Sequence, residues 1–250
     1  MSDRSAGILR NLTVSDVPAA MQLSLEAGWN QVEDDWRTLL ALAPQGCLGI
    51  QVASDLVSTA TLFCYGKRLA WIGMVLTRSS HRGRGFARRL MTEALSRADR
   101  WGIDTVKLDA TEQGQPLYEK LGFRPEQPIE RWSREARPAQ ASALPSTSSP
   151  EQWLSADARA FGADRADLLN HLALRSQQFC IGNSYVLTRP GRVSRYLGPC
   201  VAEDTDIART LIEGALRTPS EAWAWDLLPE NTNAVALARQ FGFTPKRSRR

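Results

Sequence analysis

The sequence predicts an α/β protein built from two similar units in tandem. Three observations support this prediction. A strand, a glycine-containing loop and a helix follow one another in residues 69–102, an antiparallel meander of apolar strands leads into them, and a weaker copy of the same order recurs about 120 residues later. The length of 250 residues allows one large domain or two small ones, and the composition is sufficient for a hydrophobic core.

The first half is organised around the strand, loop and helix. Leu69–Thr77 form an apolar run that is typical of a buried strand. From Ala87 to Trp101 the apolar residues recur at the spacing of one helix face, and Gly102 follows where a helix favours a left-handed cap. Residues between the strand and the helix must therefore form a short connecting loop.

The composition of this loop indicates an anion site. The first amides of a helix have no internal partner, and the helix dipole adds positive charge to them. Gly83 and Gly85 would let a ligand approach these amides, while Arg82 and Arg84 can form charge-assisted bonds to phosphate oxygens. The Gly-Lys-Ser/Thr ending of a Walker loop is missing, and Arg88 replaces the third glycine of the dinucleotide fingerprint. The expected ligand is a diphosphate.

The hexapeptide from Arg82 to Ala87, RGRGFA, resembles the pyrophosphate loop of the GNAT superfamily of acyl-CoA-dependent N-acetyltransferases. A second segment supports the resemblance. After a strand-like run at Thr105–Leu108, the segment Gln115–Phe123 (QPLYEKLGF) is similar to the family's closing helix, which carries a tyrosine. Pro116 suits a first helical turn and Gly122 a helix C-cap. The resemblance implies that each unit is a mixed, largely antiparallel twisted sheet flanked by helices.

The resemblance also implies an activity, in which a primary amine attacks the thioester of acetyl-CoA directly. Acetyl-CoA would be the co-substrate, and no metal is expected. Residues 75–77 would pair through their main chain with the pantetheine amides, like an added strand. The positions that match the family's cofactor-binding residues are Val75, Leu76, Thr77, Arg82, Gly83, Arg84, Gly85, Phe86 and Ala87.

Three residues are candidates for proton transfer. Tyr118 matches the family's tyrosine and would protonate the departing thiolate, although a helix tyrosine that fills the core is also consistent with the sequence. Asp109, at the end of a strand, and Glu112, in the following loop, are the candidate bases, acting directly or through water. Alternatively, the amine loses its proton to solvent and no residue is dedicated to this step.

The acceptor is expected to be a small-molecule or peptide amine, and the sequence does not identify it further. Glu33, Asp34 and Trp29 are the candidate substrate residues, because in the family the segment near the first two helices borders the acceptor site. The same acidic residues would also stabilise the first turn of a helix that begins at Glu33. Trp29 could equally belong to the core.

The remaining elements of the first half follow from periodicity and turn residues. Ile8–Leu12 is a possible first strand, and a helix is predicted to end near Gly28. Leu48–Val52 and Val57–Tyr65 precede the strand already described and complete the meander. Ile129–Arg134 is predicted to be the last strand of the first unit.

The predicted domain organisation is a catalytic unit in residues 1–135, a linker in residues 136–150 and a second unit in residues 151–250. The linker is rich in Pro, Ser and Ala, which is typical of a connection without a core of its own. The chain ends soon after Pro245, so a final strand in the second unit is doubtful.

The second half repeats the first with an acidic loop. Gly122-Phe123 recurs as Gly242-Phe243, and the helix residues around Leu90 recur around Leu211. Between strand and helix the second copy is shorter. The residues at the phosphate-loop positions there are Glu203, Asp204, Thr205 and Asp206, and the tyrosine is replaced by Ala238. Carboxylates would repel a diphosphate, so the second unit is predicted to lack a CoA site and to act as a lid, a substrate wall or a partner surface.

Composition narrows the alternatives. The four cysteines are scattered and the two histidines are far apart, which favours a reduced, cytoplasmic protein without a metal cluster. No apolar run is long enough to cross a membrane. The net charge of +4 equals that of the basic tail, and nucleic acid binding is unlikely because no aromatic residues interleave with it. A dimer is possible. The main alternative function is a non-catalytic acyl-CoA-binding or sensing module that acts through a partner.

Overall fold

The computed structural model describes residues 7–138, 150–217 and 221–249 of the chain. Contacts between residues divide it into two compact units, Met1–Asp109 and Ala110–Arg250. Most of the predicted linker, residues 139–149, and the last residue of the basic tail lie outside the described residues. Among the helices that are described, none combines the length and the apolar character needed to cross a bilayer.

The described residues of the first unit form a sheet in the order β1-β2-β3-β4-β5. The strands are β1 (Ile8–Asn11), β2 (Cys47–Val52), β3 (Asp55–Tyr65), β4 (Leu69–Thr77) and β5 (Thr105–Leu108). β4 and β5 run parallel, and the other neighbours are antiparallel. The mixed, largely antiparallel sheet that the sequence predicts is therefore confirmed.

Helices cover this sheet through apolar faces that the sequence periodicity predicts. They are α1 (Val17–Glu26), α2 (Glu33–Leu42) and α3 (Phe86–Trp101). The buried residues of α3 include Leu90, Met91 and Ala94, and Gly102 caps the helix in the left-handed conformation with a φ of +66°. Trp36 in α2 is wholly buried and donates a 3.2 Å hydrogen bond from Nε1 to Oγ of Ser24, so it belongs to the core.

The second unit contains a sheet of the order β11-β6-β10-β9-β8-β7, in which β9 and β10 are parallel. Its strands are β6 (Ile129–Arg134), β7 (Gln177–Ile181), β8 (Ser184–Arg189), β9 (Arg195–Val201), β10 (Trp223–Leu227) and β11 (Thr244–Arg249). Its helices are α4 (Gln115–Lys120), α5 (Pro150–Phe161), α6 (Ala166–Ala173), α7 (Thr205–Leu216) and α8 (Thr232–Gln240). The strand–helix–strand order of the first unit recurs as β9, α7 and β10.

Two strand predictions are wrong. Ile129–Arg134 does not close the first sheet, because β6 pairs on its two edges with β10 and β11 of the second sheet. A final strand was doubtful from the sequence, yet β11 forms. The physical reason for both is Trp132, which is 2% exposed, lies opposite Trp225 across β6 and β10, and belongs to the second core. Contacts between residues divide the chain after Asp109, and the boundary that the sequence predicts at residue 135 remains a prediction.

A buried charged cluster joins three elements of the second unit. Asp157 of α5 is wholly buried and accepts a bidentate pair of hydrogen bonds, 2.7 and 2.8 Å, from Arg165. The hydroxyl of Tyr185 in β8 donates to the same carboxylate, and burial with this bond raises the pKa of Tyr185 above its usual range. Arg165 also lies 4.1 Å from the ring centroid of Phe161. The cluster thus links α5, the start of α6 and β8.

Candidate active site

Residues 78–85 connect β4 to α3 and form the core of the candidate site. Gly83 and Gly85 have φ angles of +74° and +79°, a region that favours glycine. A Cβ atom built on either residue would meet no heavy atom of the described residues within 4 Å. The two glycines are therefore required by the turn of the backbone, and they leave the loop open on that side.

The N-terminus of α3 presents its first amides without a side-chain cap. Gly85 is the N-cap residue and has no side chain that could accept a hydrogen bond. Arg89 donates its amide to Gly85 O at 3.0 Å, so the amides of the three residues before it precede the first bond of the helix. Phe86 is buried, which anchors the helix and limits its contribution at the site to the main chain. This arrangement suits an anion.

Arg82 and Arg84 stiffen the loop while remaining exposed. Arg82 donates from Nε to the Thr77 carbonyl at 3.2 Å, and Arg84 donates from a terminal nitrogen to the Ser80 carbonyl at 3.3 Å. A guanidinium carries five donors, so each side chain retains several for a ligand. Two positive charges thus lie beside the uncapped amides.

A cleft of about 550 Å³ adjoins the loop along the exposed face of α3. Gly85, Arg88, Arg89 and Thr92 line it at the spacing of one helix face. Its acidic residue, Glu93, is already engaged by Arg97 at 2.8 Å, and this hydrogen bond is the main reason that its pKa lies below the usual range. Sequence reasoning did not assign Arg88 or Thr92 to the site, although their spacing from Gly85 was a signal for it.

Glu26 at the end of α1 anchors the start of the loop. Its Oε1 atom accepts a 2.6 Å hydrogen bond from the Ser79 amide. Hydrogen bonding to Ser79 is the main cause that lowers the pKa of Glu26, with smaller contributions from the charges of Arg82 and Arg78. No sequence signal pointed to Glu26, because the contact joins residues that are 53 positions apart.

Toward its end, β4 has one edge that no other described strand pairs with. β4 pairs with β5 only as far as Ile72, whose partner is Leu108. Beyond that point β4 has a bulge around Met74, which has a φ of +48°. The carbonyls of Met74 and Leu76 accept hydrogen bonds from the Thr59 and Ser58 hydroxyls of β3, at 2.8 and 2.7 Å. Because peptide groups alternate along a strand, we expect the N–H and C=O of Val75 to point toward the open edge.

Asp109 lies at the point where β4 and β5 separate. It follows Leu108 directly, and Leu108 is the last residue of β5 that pairs with β4. The carboxyl ends of parallel strands lie at the same end of a sheet. Asp109, which follows β5, therefore lies at the same end of the sheet as Val75 and Thr77 of β4. Its side chain is partly buried. The structure thus groups one candidate base with the predicted main-chain positions of β4.

The other two candidates for proton transfer lie in the second unit. Tyr118 of α4 is 9% exposed, packs against Gly114 and lies 6.2 Å from Phe123 between ring centroids. Burial raises its pKa to about 12, so the phenol keeps its proton at neutral pH. Glu112 is exposed in the turn that precedes α4. In the same turn, Thr111 Oγ1 accepts a 3.2 Å bond from the Gly114 amide and so supports the start of the helix.

Comparison with known proteins decides the family. Residues 17–123 match the model of the acetyltransferase (GNAT) family, and residues 154–249 match that of an acetyltransferase (GNAT) domain. The chain belongs to the GNAT acetyltransferase family. Both halves are GNAT units, as the internal repeat predicts, and the first match includes the glycine loop and α4.

Three proteins of other organisms match this chain over nearly its whole length. A protein of Bacillus subtilis, called an uncharacterized N-acetyltransferase, YitH, is 28% identical over 242 residues, which cover 91% of this chain and 84% of the relative. A putative acetyltransferase from Pyrococcus horikoshii has a TM-score of 0.86 at 23% identity, over 98% of this chain and 87% of that one. A GCN5-related N-acetyltransferase from Sphaerobacter thermophilus has a TM-score of 0.69 at 15% identity, over 100% and 95%. These two structural similarities concern the fold alone.

The equivalent loop of the second GNAT unit is short and is capped from within. Only residues 202–204 separate β9 from α7. Asp204 is the N-cap of α7, and its Oδ1 atom accepts a 2.8 Å hydrogen bond from the Ile207 amide. Asp206 pairs with Arg209, and Glu203 accepts a 2.8 Å bond from Asn183. The three carboxylates at the phosphate-loop positions thus already have partners, and that of Asp204 occupies the helix N-terminus.

The candidate substrate residues of the first GNAT unit have local partners. Glu33 is exposed and pairs with Arg37 at 3.4 Å within α2, while Asp34 is exposed in the same first turn. The third acidic residue, Asp35, accepts a 3.0 Å hydrogen bond from the Val32 amide and stabilises the helix start. Trp29 is half-buried and packs against the core around α1 and α2. Their role toward an acceptor remains a prediction.

Proposed function

We propose that the chain is an acetyl-CoA-dependent N-acetyltransferase whose first GNAT unit binds the co-substrate. The observation that carries this proposal is the contrast between two equivalent helix N-termini. α3 begins at Gly85, which cannot cap it, whereas α7 begins at Asp204, whose carboxylate caps it. An anionic ligand is stabilised by the dipole and amides of the first helix and repelled by the carboxylates of the second.

The residues of the loop fit the diphosphate of CoA. Its open glycines allow close approach, the amides of residues 83–87 would donate hydrogen bonds to the anionic oxygens, and Arg82 and Arg84 would balance the charge. CoA carries a further phosphate, and Arg88 in the adjoining cleft offers a positive charge for it. Phe86 and Ala87 would contribute through the main chain only.

Val75, Leu76 and Thr77 would hold the extended arm of CoA through the open edge of β4. When bound, acetyl-CoA supplies an acyl group that is activated as a thioester. The Val75 amide would bind a carbonyl oxygen at this edge, as in the addition of a strand to a sheet. The Ser58 and Thr59 hydroxyls fix the neighbouring carbonyls toward β3, which keeps this edge available.

Asp109 is the better supported of the two candidate bases. It lies at the edge where β4 and β5 separate, whereas Glu112 is exposed in a turn. A carboxylate at Asp109 would take a proton from the acceptor amine, directly or through one water molecule. Loss of the proton to solvent is the alternative, and it requires no residue.

Tyr118 would act as a hydrogen-bond donor to the departing sulfur. With a pKa of about 12 it is protonated under all ordinary conditions, which a donor requires. A thiol has a pKa of about 8.5, so complete transfer of the phenolic proton to the thiolate is unfavourable. Tyr118 would therefore stabilise the developing negative charge, and solvent would deliver the proton.

The acceptor would be a primary amine of a small molecule or a peptide. A positively charged amine would be attracted by the exposed carboxylates of Glu33 and Asp34, and Trp29 would offer an aromatic wall beside them. A cytoplasmic location remains the expectation drawn from the four scattered cysteines.

A panel of primary amines, assayed by release of free thiol from acetyl-CoA, tests the proposed function. We expect turnover with at least one amine, and we expect loss of acetyl-CoA binding when Arg82 and Arg84 are both replaced by Gln. The matched control is Arg124→Gln, which removes an exposed charge outside the loop. Tight binding of acetyl-CoA without turnover on any amine would instead support the sensing module. Absence of binding by calorimetry would contradict both functions.

A further inference from the structure

A second cleft, of about 560 Å³, lies within the C-terminal unit, and its charged lining is mainly arginine. The cleft lies between the C-terminal ends of α7 and α8 on one side and residues 134–138, at the end of β6 and just after it, on the other. The basic residues that line it are Arg134, Arg137, Arg209 and Arg217, and the acidic residue among them is Glu213. None of these residues belongs to residues 78–85, to β4 or to the cleft beside α3, so the two clefts share no lining residue.

The four arginines are not equally compensated. Arg217 pairs with Glu213 at 2.5 Å, and Arg209 pairs with Asp206. Within the described part of the chain, Arg134 and Arg137 form neither an ion pair nor a hydrogen bond to a carbonyl. The cleft therefore has an excess of two positive charges, one from the last residue of β6 and one from the segment that follows.

Arg134 lacks an acceptor for a donor that is shielded from solvent. Its Nε atom is buried and has no hydrogen-bond partner among the described residues. Burial, and then the nearby charge of Arg137, lower the pKa of Arg134 from its usual value. A guanidinium nevertheless stays charged at neutral pH. Buried polar groups are normally paired, so an anionic oxygen in the cleft would satisfy this donor.

Arg137 lies directly against the backbone of Gly242. A Cβ atom at position 242 would come within 2.3 Å of a terminal nitrogen of Arg137. Gly122, the counterpart of Gly242 in the first repeat, has a similar φ of +92°, yet a Cβ atom there would meet no described atom within 4 Å. Both glycines lie in a turn after a helix, but of the two only Gly242 lies against an arginine side chain.

We propose that this arginine-lined cleft is a binding site for a small organic dianion of the phosphate monoester class. Arginine suits the oxygens of a phosphate through its planar fork of donors. A phosphate monoester carries a charge of about −1.5 to −2 at pH 7, which matches the two uncompensated guanidinium groups. Leu216 and Phe241 provide apolar walls for the organic part of the ligand.

The size of the cleft favours a small molecule over a polyanion. Its volume of about 560 Å³ lies within the range of small-molecule sites. Attraction of arginine to helix C-termini accounts for Arg217, which is the C-cap of α7. It does not account for Arg134 or Arg137, since neither donates to a helix carbonyl among the described residues.

Calorimetric titration of the full-length protein with phenyl phosphate tests the proposal. To remove binding at the phosphate loop, the Arg82→Gln/Arg84→Gln double variant is the reference protein. In that background we expect saturable binding of phenyl phosphate, weaker binding of inorganic phosphate, which lacks the ring, and weaker binding of phenyl sulfate, which carries one charge. Arg134→Gln and Arg137→Gln should each weaken phenyl phosphate binding by about tenfold or more.

Two matched controls separate the site from general effects of charge and folding. Arg159→Gln removes an exposed arginine of α5 and should leave binding unchanged. Gly242→Ala should weaken binding by displacing Arg137, whereas Gly122→Ala imposes a similar backbone strain and should not. Circular dichroism confirms that each variant is folded. The proposal is overturned if no phenyl phosphate binds, if Arg137→Gln binds as tightly as the reference, or if a single-stranded oligonucleotide binds and phenyl phosphate does not.

Discussion

The carboxylate of Asp204 accepts a 2.8 Å hydrogen bond from the Ile207 amide and so closes the N-terminus of α7. At the equivalent position of the first unit, Gly85 leaves the N-terminus of α3 open. One fold therefore carries two helix ends with opposite charge preference. An aspartate at position 85 should therefore make the N-terminus of α3 resemble that of α7.

Replacement of Gly85 by Asp should weaken acetyl-CoA binding by at least about tenfold, because a carboxylate would cap the amides and repel the diphosphate. Gly85→Asn is the matched control, since Asn adopts the left-handed conformation as readily but carries no charge. Binding constants from calorimetry provide the comparison. Equal losses in the two variants would show that backbone strain, and not charge, is responsible.

Replacement of Glu26 by Gln should weaken acetyl-CoA binding severalfold, because a neutral amide accepts the Ser79 hydrogen bond less strongly and the loop loses its anchor. The pKa of Glu26 lies below its usual value of 4.5, so the anchor is fully present above that pH and is lost as the pH falls through the lowered pKa. Binding of the wild type should therefore be constant near neutrality. Asp99→Asn, at the far end of α3, is the control, and a similar effect there would contradict the assigned role.

Replacement of Tyr118 by Phe should lower kcat by about tenfold or more while acetyl-CoA binding stays within a factor of two. The phenol would be lost as a donor to the sulfur, but the loop would be untouched. Because the pKa of Tyr118 is about 12, its ionisation should not contribute to the pH–rate profile between pH 6 and pH 10 in the wild type. Unchanged turnover in the variant would assign Tyr118 to packing alone.

Replacement of Asp157 by Asn should lower the free energy of unfolding by about 3–5 kcal/mol, because the partly buried guanidinium of Arg165 would lose the carboxylate that it pairs with. Tyr185 would also lose the acceptor of its hydroxyl. Urea denaturation measures the change, and Asp167→Asn on the exposed side of α6 should change stability by less than about 0.5 kcal/mol. Comparable losses in the two variants would contradict the structural role of the cluster.

Local sequence patterns predicted the first sheet and α3 well, because each element there carries its own periodicity and turn residues. Gly83 and Gly85 were identifiable because glycine is the residue most common where a loop adopts a positive φ. The acidic loop of the second unit was identifiable from the internal repeat. In the structure, Asp204 of this loop caps α7.

The strand partners of β6 were not predictable, because alternation along Ile129–Arg134 identifies a strand and not its neighbours. Its position depends on the burial of Trp132 in the core formed with Trp225, a contact between distant residues. Glu26 was missed for the same reason, since its effect on the loop depends on a bond to Ser79. The arginine cleft likewise depends on where β6 ends.

A crystal structure of the protein with bound CoA tests the central claim most directly. We predict density for the diphosphate within hydrogen-bond distance of the amides of residues 83–87 at the start of α3, and no CoA at the start of α7. Density for the diphosphate at Asp204 and the start of α7, with α3 empty under saturating CoA, would contradict the account.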